Sequence, residues 1–143
     1  MLEQLREELK KSDYSLTKPR LTVFGALQGT KPKTMRELIS SLEGVIDRAS
    51  VYRTVTLFEE LSIVKRIQHG WKYRIELSDA FTPHHHHLTC NQCQRVISFD
   101  EPAGFDETAD KIATTNGFLP QSHSLEVYGI CPQCQLLNSK IKG

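Results

Sequence analysis

Four cysteines in two closely spaced pairs constrain the fold of this chain more than any other feature. The pairs are Cys90-Asn-Gln-Cys93 and Cys131-Pro-Gln-Cys134, and they contain all the cysteines of the 143-residue sequence. Two thiolates three positions apart fit one edge of a tetrahedron, and a second pair completes it. The spacing therefore predicts a structural zinc site, on which the folding of this part of the chain would depend.

Two other uses of these cysteines fit the spacing less well. Four buried free cysteines would not need to come in pairs. Thiol exchange is chemistry open to the Cys131-Pro-Gln-Cys134 motif, but the second pair at Cys90 and Cys93 argues against it.

The start of the chain bears on its compartment. The residues MLEQLREELKKSDYS lack the basic-then-apolar order of a secretory signal, and the sequence has no run of about 18 apolar residues. We therefore expect a cytoplasmic protein with no membrane partner, in which disulfides are disfavoured. Hydrophobic residues make up 38% of the chain, which is enough for one ordinary domain or two small ones.

The first 62 residues have the apolar spacing of helices. Thr34-Met-Arg-Glu37 has the form of a capping box, which marks the start of a helix. A further helix is predicted around residues 48–62. Its buried face comprises Val51, Val55, Phe58 and Leu61. Its other face carries Tyr52, Arg53 and Thr56.

After this helix the apolar period changes from that of a helix to that of a strand. Residues 63–68 and 71–77 alternate in polarity on either side of a turn at His69-Gly70, which predicts a β-hairpin. Several helices followed by a hairpin are the order of a winged helix-turn-helix. The helix at 48–62 would then enter the major groove of DNA, with the hairpin as the wing.

Charge is divided unevenly along the chain, whose formal net charge is +1. Residues 1–75 contain 14 Lys and Arg against 9 Asp and Glu, whereas residues 76–143 contain 4 against 8. This division is expected if only the first half meets a polyanion such as DNA. A solvated surface of mixed charge is the alternative interpretation.

Residues after the hairpin predict a second domain. We place a DNA-binding domain at 1–78, a hinge linker at 79–83 and a small α/β domain at 84–143, because the linker is polar and contains a proline. The elements predicted for the second domain are strands at 88–90, 96–99 and 123–130 and one helix at 105–116.

A run of four histidines, His84-His85-His86-His87, leads into Leu88-Thr89-Cys90. One interpretation is a solvated polar tract. In an extended strand, however, successive side chains point to opposite faces, so the first and third histidines share one face and the second and fourth share the other. One run can therefore serve two metal sites, and two imidazoles with a carboxylate favour divalent iron, manganese or zinc.

Several segments match one known pattern over nearly the whole chain. They are Pro19-Arg20 at a helix start, Ala49-Ser-Val-Tyr-Arg53 in the predicted recognition helix, the stretch from His84 through Leu88, Cys90 and Cys93 to Val96 and Phe99, and His123-Ser-Leu125 with Tyr128-Gly129 and Cys131. In these segments the chain resembles the ferric uptake regulators, which are dimeric metal-sensing repressors of bacteria.

The resemblance implies an α+β fold with a winged helix-turn-helix domain, a hinge and a small α/β dimerisation domain that carries the four-cysteine zinc. It implies a metal-dependent repressor of metal-homeostasis or oxidative-stress genes and no enzymatic activity. The expected partners are a second copy of the chain, a double-stranded DNA operator and divalent metal ions. Besides the structural zinc, the expected cofactor is a regulatory iron, manganese or zinc ion. Iron is favoured, because the hinge has no fifth cysteine.

The resemblance also assigns two sets of metal ligands by position. The hinge sensor site would use Glu76, His85 and His87. A second site, in the dimerisation domain, would use His84, His86, Asp106 and His123. Asp79 is an alternative to Glu76, because the stretch up to Pro83 is longer than in many relatives. The chain has Lys31-Pro32-Lys33 and Ser98 where some relatives have further ligands.

The DNA contacts follow from the same resemblance. In the recognition helix they would be Ser50, Tyr52, Arg53 and Thr56. Tyr52 can pack against thymine methyl groups, and Arg53 can bond a guanine edge or a phosphate. Some relatives have a basic residue near Ser15 that enters the minor groove, and Lys18 or Arg20 would replace it here.

Two other classes of function are alternatives to a DNA-binding regulator. A zinc-dependent enzyme would need an open metal position for activated water, but the sequence has no HExxH helix and no recognisable general base. A zinc-stabilised interaction module without DNA binding is the other alternative.

Overall fold

The chain divides after Pro83 into two units, Met1–Pro83 and His84–Gly143. The computed structural model describes residues 1–29 and 31–142, so the end of the predicted second domain, Gly143, lies outside the described residues. The predicted linker, residues 79–83, falls inside the first unit.

Helices come first in the first unit and strands follow. The elements are α1 (Leu2–Lys11), α2 (Lys18–Ala26), α3 (Met35–Ser41), α4 (Arg48–Glu60), β1 (Val64–His69) and β2 (Lys72–Leu77). At the start of α3, Thr34 and Glu37 form the predicted capping box. At the start of α4, the Asp47 carboxylate accepts a hydrogen bond from the backbone N–H of Ser50 at 3.1 Å. These polar caps fix where both helices begin.

One apolar core holds the first unit together. Leu5 of α1, Phe24 of α2 and Phe58 of α4 are fully buried in it. The ring of Phe81 packs edge-on against that of Phe24, with centroids 5.3 Å apart. Because Phe81 is buried, the segment predicted as a linker is anchored in the first unit.

The strands β1 and β2 form the predicted hairpin. They are antiparallel, with Val64 opposite Leu77, and Gly70 takes the positive φ that the turn requires. Backbone hydrogen bonds of 2.9 and 2.7 Å join Lys33 to Ile75 of β2. The segment before α3 is thereby fastened to the hairpin.

The second unit is built on a three-stranded sheet. Its elements are β3 (His85–Cys90), β4 (Val96–Asp100), α5 (Phe105–Thr115), β5 (Glu126–Gly129) and α6 (Pro132–Lys142). Strand β3 lies at the centre, antiparallel to β4 and parallel to β5. The strand predicted at 123–130 is confined to β5, and β3 begins earlier than predicted.

Helix α6 is absent from the sequence-based prediction. Pro132 suits its first position, because the fixed φ of proline is helical and its missing N–H is not needed there. The rest of the helix is mostly polar, so its apolar periodicity is weak. None of the described helices is both long enough and apolar enough to cross a membrane.

The second unit fully buries none of its described aliphatic or aromatic hydrocarbon side chains. Its buried residues are His85, His86, His87, Thr89, Cys90 and Cys134. Large apolar side chains lie at its surface, among them Ile112, Phe118, Leu119 and Leu137. A unit of this size with so little apolar burial needs another source of stability, such as a metal or a partner surface.

Candidate metal centres and DNA-binding surface

The four cysteines converge at one end of the sheet. Cys90 ends β3, Cys93 lies in the turn to β4, and Cys131 and Cys134 flank the first residues of α6. Their four sulfur atoms lie within 4.8 Å of one another, and the Sγ atoms of Cys93 and Cys131 are 3.7 Å apart. Tetrahedral zinc with Zn–S bonds of about 2.3 Å places its sulfurs about 3.8 Å apart. The cluster therefore fits a structural zinc ion.

Local hydrogen bonds shift the pKa values of Cys90 and Cys134 in opposite directions. Backbone N–H groups of Cys93 and Cys131 lower the pKa of Cys90 to about 6, although its desolvation acts in the opposite direction. The neighbouring thiol of Cys131, with desolvation, raises the pKa of Cys134 to about 12. Four thiolates this close repel one another, so their joint ionisation requires a cation among them.

Strand β3 sorts the four histidines into two pairs. The rings of His84 and His86 lie 4.7 Å apart, and those of His85 and His87 lie 4.9 Å apart. This is the alternation expected of an extended strand. All three histidines within β3 are buried, which argues against a solvated polar tract.

An inner cluster forms around His84 and His123. Their Nε2 atoms are 3.3 Å apart, and the Glu101 carboxylate lies 2.5 Å from His123 Nε2 and 3.3 Å from His84 Nε2. Desolvation disfavours the charge on Glu101, but the hydrogen bond to His123 and the nearby imidazoles together outweigh it and lower the pKa of Glu101. Two imidazole nitrogens and an ionised carboxylate suit a divalent metal.

Glu101 is a member of this cluster that sequence reasoning missed. The signal was the strand register: β3 and β4 pair His85 with Asp100, and one further step places Glu101 beside His84. Asp106, the carboxylate predicted by resemblance, lies 3.4 Å from His123 Nε2, but its side chain is 70% exposed. Glu101 is thus the better buried of the two carboxylates.

His86 belongs to the inner cluster but is held differently. Its Nδ1 accepts a hydrogen bond from the backbone N–H of Leu125 at 3.1 Å, so in the neutral ring the proton resides on Nε2. That nitrogen lies 3.6 Å from the Glu101 carboxylate, and burial lowers the pKa of His86. The ligand atoms of His84, His86, Glu101 and His123 all lie within 4.8 Å of one another, and the role of His86 as a ligand stays a prediction.

The predicted hinge ligands belong to different units. Glu76 is a buried residue of β2 in the first unit, whereas His85 and His87 are on β3 in the second. In the first unit, the Lys65 ammonium lies 3.4 Å from Glu76 and 2.7 Å from Asp79. Burial disfavours the charge on Lys65, but both carboxylates outweigh that effect and raise the pKa of Lys65. The hinge site as a whole stays a prediction.

Lys33 and Ser98 occupy positions where some relatives have further metal ligands, and both have local structural contacts here. The ammonium of Lys33 donates a hydrogen bond to the carbonyl of Ala26, at the end of α2, and its backbone pairs with β2. Ser98 lies opposite His87 in the register of β3 and β4. Neither position supplies a carboxylate or an imidazole.

The exposed face of α4 carries the predicted DNA contacts. Tyr52, Arg53 and Thr56 are exposed, and Ser50 accepts a hydrogen bond from the Arg53 guanidinium at 3.2 Å. Arg20 lines the same surface groove as Ser50 and Arg53, and its guanidinium stacks on Tyr14 at 5.1 Å. Lys18 is exposed at the first position of α2. The groove beside the predicted recognition helix is therefore lined by two guanidinium groups.

Comparison with known proteins decides the family. Residues 11–128 match the model of the ferric uptake regulator family. The chain belongs to this family. Its members are transcription regulators, so the predictions of an α+β metal-dependent transcriptional regulator and of no enzymatic activity are confirmed.

Individual relatives match over almost their full length. The ferric uptake regulation protein of Bordetella parapertussis is 36% identical over 138 residues, which cover 91% of this chain and 96% of that protein. The peroxide operon regulator of Bacillus subtilis is 29% identical and covers 93% of this chain and 92% of that protein. The crystal structure of the Vibrio cholerae ferric uptake regulator has a TM-score of 0.72 and 32% identity, over 89% of this chain and 99% of that one.

Replacing Cys93 with Ser should remove about one zinc per subunit, because three thiolates cannot close the tetrahedron. We expect the second unit to lose protection from hydrogen exchange, since its folding depends on the metal. Metal content is measured by inductively coupled plasma mass spectrometry, with the exposed Ser122→Ala as the control. A zinc-free Cys93→Ser protein with unchanged exchange would contradict a structural zinc.

Proposed function

We propose that this regulator is a homodimeric repressor that binds its operator when a divalent metal occupies a hinge site formed by Glu76, His85 and His87. The observation that carries the proposal is the pairing of His85 and His87 on one face of β3, apart from the other two histidines. Two imidazoles on one face can bind a metal together. With a third ligand from the DNA-binding unit, metal affinity and DNA affinity become reciprocally linked.

Glu76 is our choice for that third ligand. It is buried with the Lys65 ammonium 3.4 Å away, and a buried carboxylate needs positive charge nearby more than an exposed one does. Asp79 is partly exposed and is paired with Lys65 at 2.7 Å. The nitrogen and oxygen ligands suit iron, manganese and zinc, and the absence of thiolates makes iron our first choice.

The inner cluster of His84, Glu101 and His123 is proposed as a second metal site, with Asp106 within reach of His123. It lies wholly inside the second unit, so we expect it to stabilise that unit and the dimer. His86, whose Nε2 lies 3.6 Å from the Glu101 carboxylate, would complete this site.

The dimer is proposed from an apolar row across the sheet. Ile97 of β4, Leu88 of β3 and Val127 of β5 are neighbours in the strand register, and each is about 40% exposed. A surface of this kind favours a symmetric contact between two copies, in which the same patch serves both subunits. Two recognition helices related by that symmetry match a palindromic operator.

Replacing both Tyr52 and Arg53 with Ala should weaken operator binding without changing metal content. Each direct base contact is typically worth roughly 1–3 kcal/mol, so we expect a loss of at least about 10-fold. Fluorescence anisotropy with labelled operator measures it, and Glu60→Gln on the same helix is the control. Unchanged affinity in the double variant would mean that another surface reads the DNA.

The two metal sites are distinguished by His85→Ala and His123→Ala. We expect His85→Ala to abolish metal-activated operator binding and His123→Ala to reduce mainly its amplitude or the stability of the dimer, because only the former removes a hinge ligand. Both are titrated with iron, manganese and zinc at buffered free concentrations. A greater loss in His123→Ala would transfer the sensing role to the inner site.

A charge in the apolar row should separate the subunits. Ile97→Lys places an ammonium where two copies would meet, so we expect a monomer in light scattering after size-exclusion chromatography. Ser122→Lys adds the same charge at an exposed polar position and should stay dimeric. A dimeric Ile97→Lys protein with zinc bound would refute this interface.

A further inference from the structure

His87 is flanked by a polar residue on each neighbouring strand. Across the antiparallel pair it faces Ser98, and across the parallel pair it faces Glu126. The Glu126 carboxylate reaches the ring: its Oε1 lies 3.0 Å from His87 Nδ1. His87 is 2% exposed and Glu126 is 23% exposed, so the imidazole side of this hydrogen bond is shielded from water. The strand register thus places the carboxylate of Glu126 within hydrogen-bond distance of the His87 imidazole.

That contact determines which ring nitrogen of His87 keeps its lone pair. An ionised carboxylate only accepts hydrogen bonds, so Nδ1 of His87 must carry the proton that it donates. The lone pair of a neutral ring then resides on Nε2, and a nitrogen needs its lone pair to bind a metal. The other oxygen of Glu126, Oε2, is buried and has no hydrogen-bond partner among the described residues. A desolvated carboxylate of this kind is stabilised by positive charge placed on its imidazole partner.

His86, the neighbour of His87, is held in the opposite tautomer by Leu125, the neighbour of Glu126. Leu125 donates its backbone N–H to Nδ1 of His86, whereas Glu126 accepts from Nδ1 of His87. The same short stretch of chain therefore assigns His86 its proton on Nε2 and His87 its proton on Nδ1. Of these two neighbouring rings, only that of His87 presents Nε2 as a ligand.

We propose that Glu126 is a positioning residue of the regulatory metal site, which holds His87 in the tautomer and orientation that bind the metal through Nε2. The inference rests on the proposed role of His87 as a hinge ligand, and it adds a residue that neither ligand set contains. Partners of this kind raise the basicity of the ligating imidazole, and losing one typically costs about 10–100-fold in metal affinity.

The tautomers are tested directly in the protein before any regulatory metal is added. Long-range ¹H–¹⁵N NMR of the zinc-loaded chain reports which nitrogen of each neutral ring is protonated. We expect protonated Nδ1 for His87 and protonated Nε2 for His86. Glu126→Met keeps the length of the side chain but offers only a weak thioether acceptor, so it should shift His87 towards the Nε2–H form and leave His86 unchanged. Glu126→Gln restores an acceptor and should restore the Nδ1–H form.

Metal affinity is then measured by competition with a fluorescent chelator, using Mn²⁺ as the probe. We expect the regulatory site of Glu126→Met to bind about 10–100-fold more weakly, with a smaller loss in Glu126→Gln. Asp110→Ala removes an exposed carboxylate from the same unit and should bind as the original chain does. Bound zinc is measured in every variant, so that unfolding is not mistaken for a loss of affinity.

The outcomes separate this inference from the function on which it rests. If His87 carries its proton on Nε2 in the original chain, or if Glu126→Met binds Mn²⁺ normally, the inference is overturned. The first of these results needs no variant, so it decides even if Glu126→Met does not fold. If the tautomers are as expected but no metal activates operator binding in the original chain, it is the proposed function that fails.

Discussion

The structure of the second unit depends on the convergence of four sulfur atoms. Its sheet fully buries none of the described hydrocarbon side chains, so the hydrophobic effect that stabilises the first unit contributes little here. The cysteine cluster joins the end of β3, the turn to β4 and the start of α6, which are distant in sequence. A cation that binds these four ligands supplies the stability that a core would otherwise provide.

The first unit is held rigid by a buried apolar core. Phe24 and Phe58 connect α2 and α4 through a closed core, and the cap at Asp47 fixes where the recognition helix begins. The residues that face away from this core can therefore serve DNA without a cost in packing. The predicted DNA contacts thus lie in the first unit, and the histidine run begins where the second unit does.

The sequence predicted best those features that are determined by residues close together in the chain. The capping box, the hairpin and the alternation of the histidines each follow from geometry within a few residues. It missed Glu101 and Glu126 because both act through strand pairing, which brings residues from distant parts of the chain to one histidine. Helix α6 was missed because its residues are mostly polar, so burial leaves little periodic signal.

Strand β5 continues directly towards the cysteines. The carbonyl of Gly129, at its end, accepts the N–H of Asn91, and Cys131 follows two residues later. The same strand begins at Glu126, which hydrogen-bonds His87, directly after Leu125, which hydrogen-bonds His86. Slippage of β5 would therefore disturb both rings at once. If zinc at one end of the strand fixes its register, oxidation of the zinc-binding thiolates would loosen the hydrogen bonds to the two histidines at the other end.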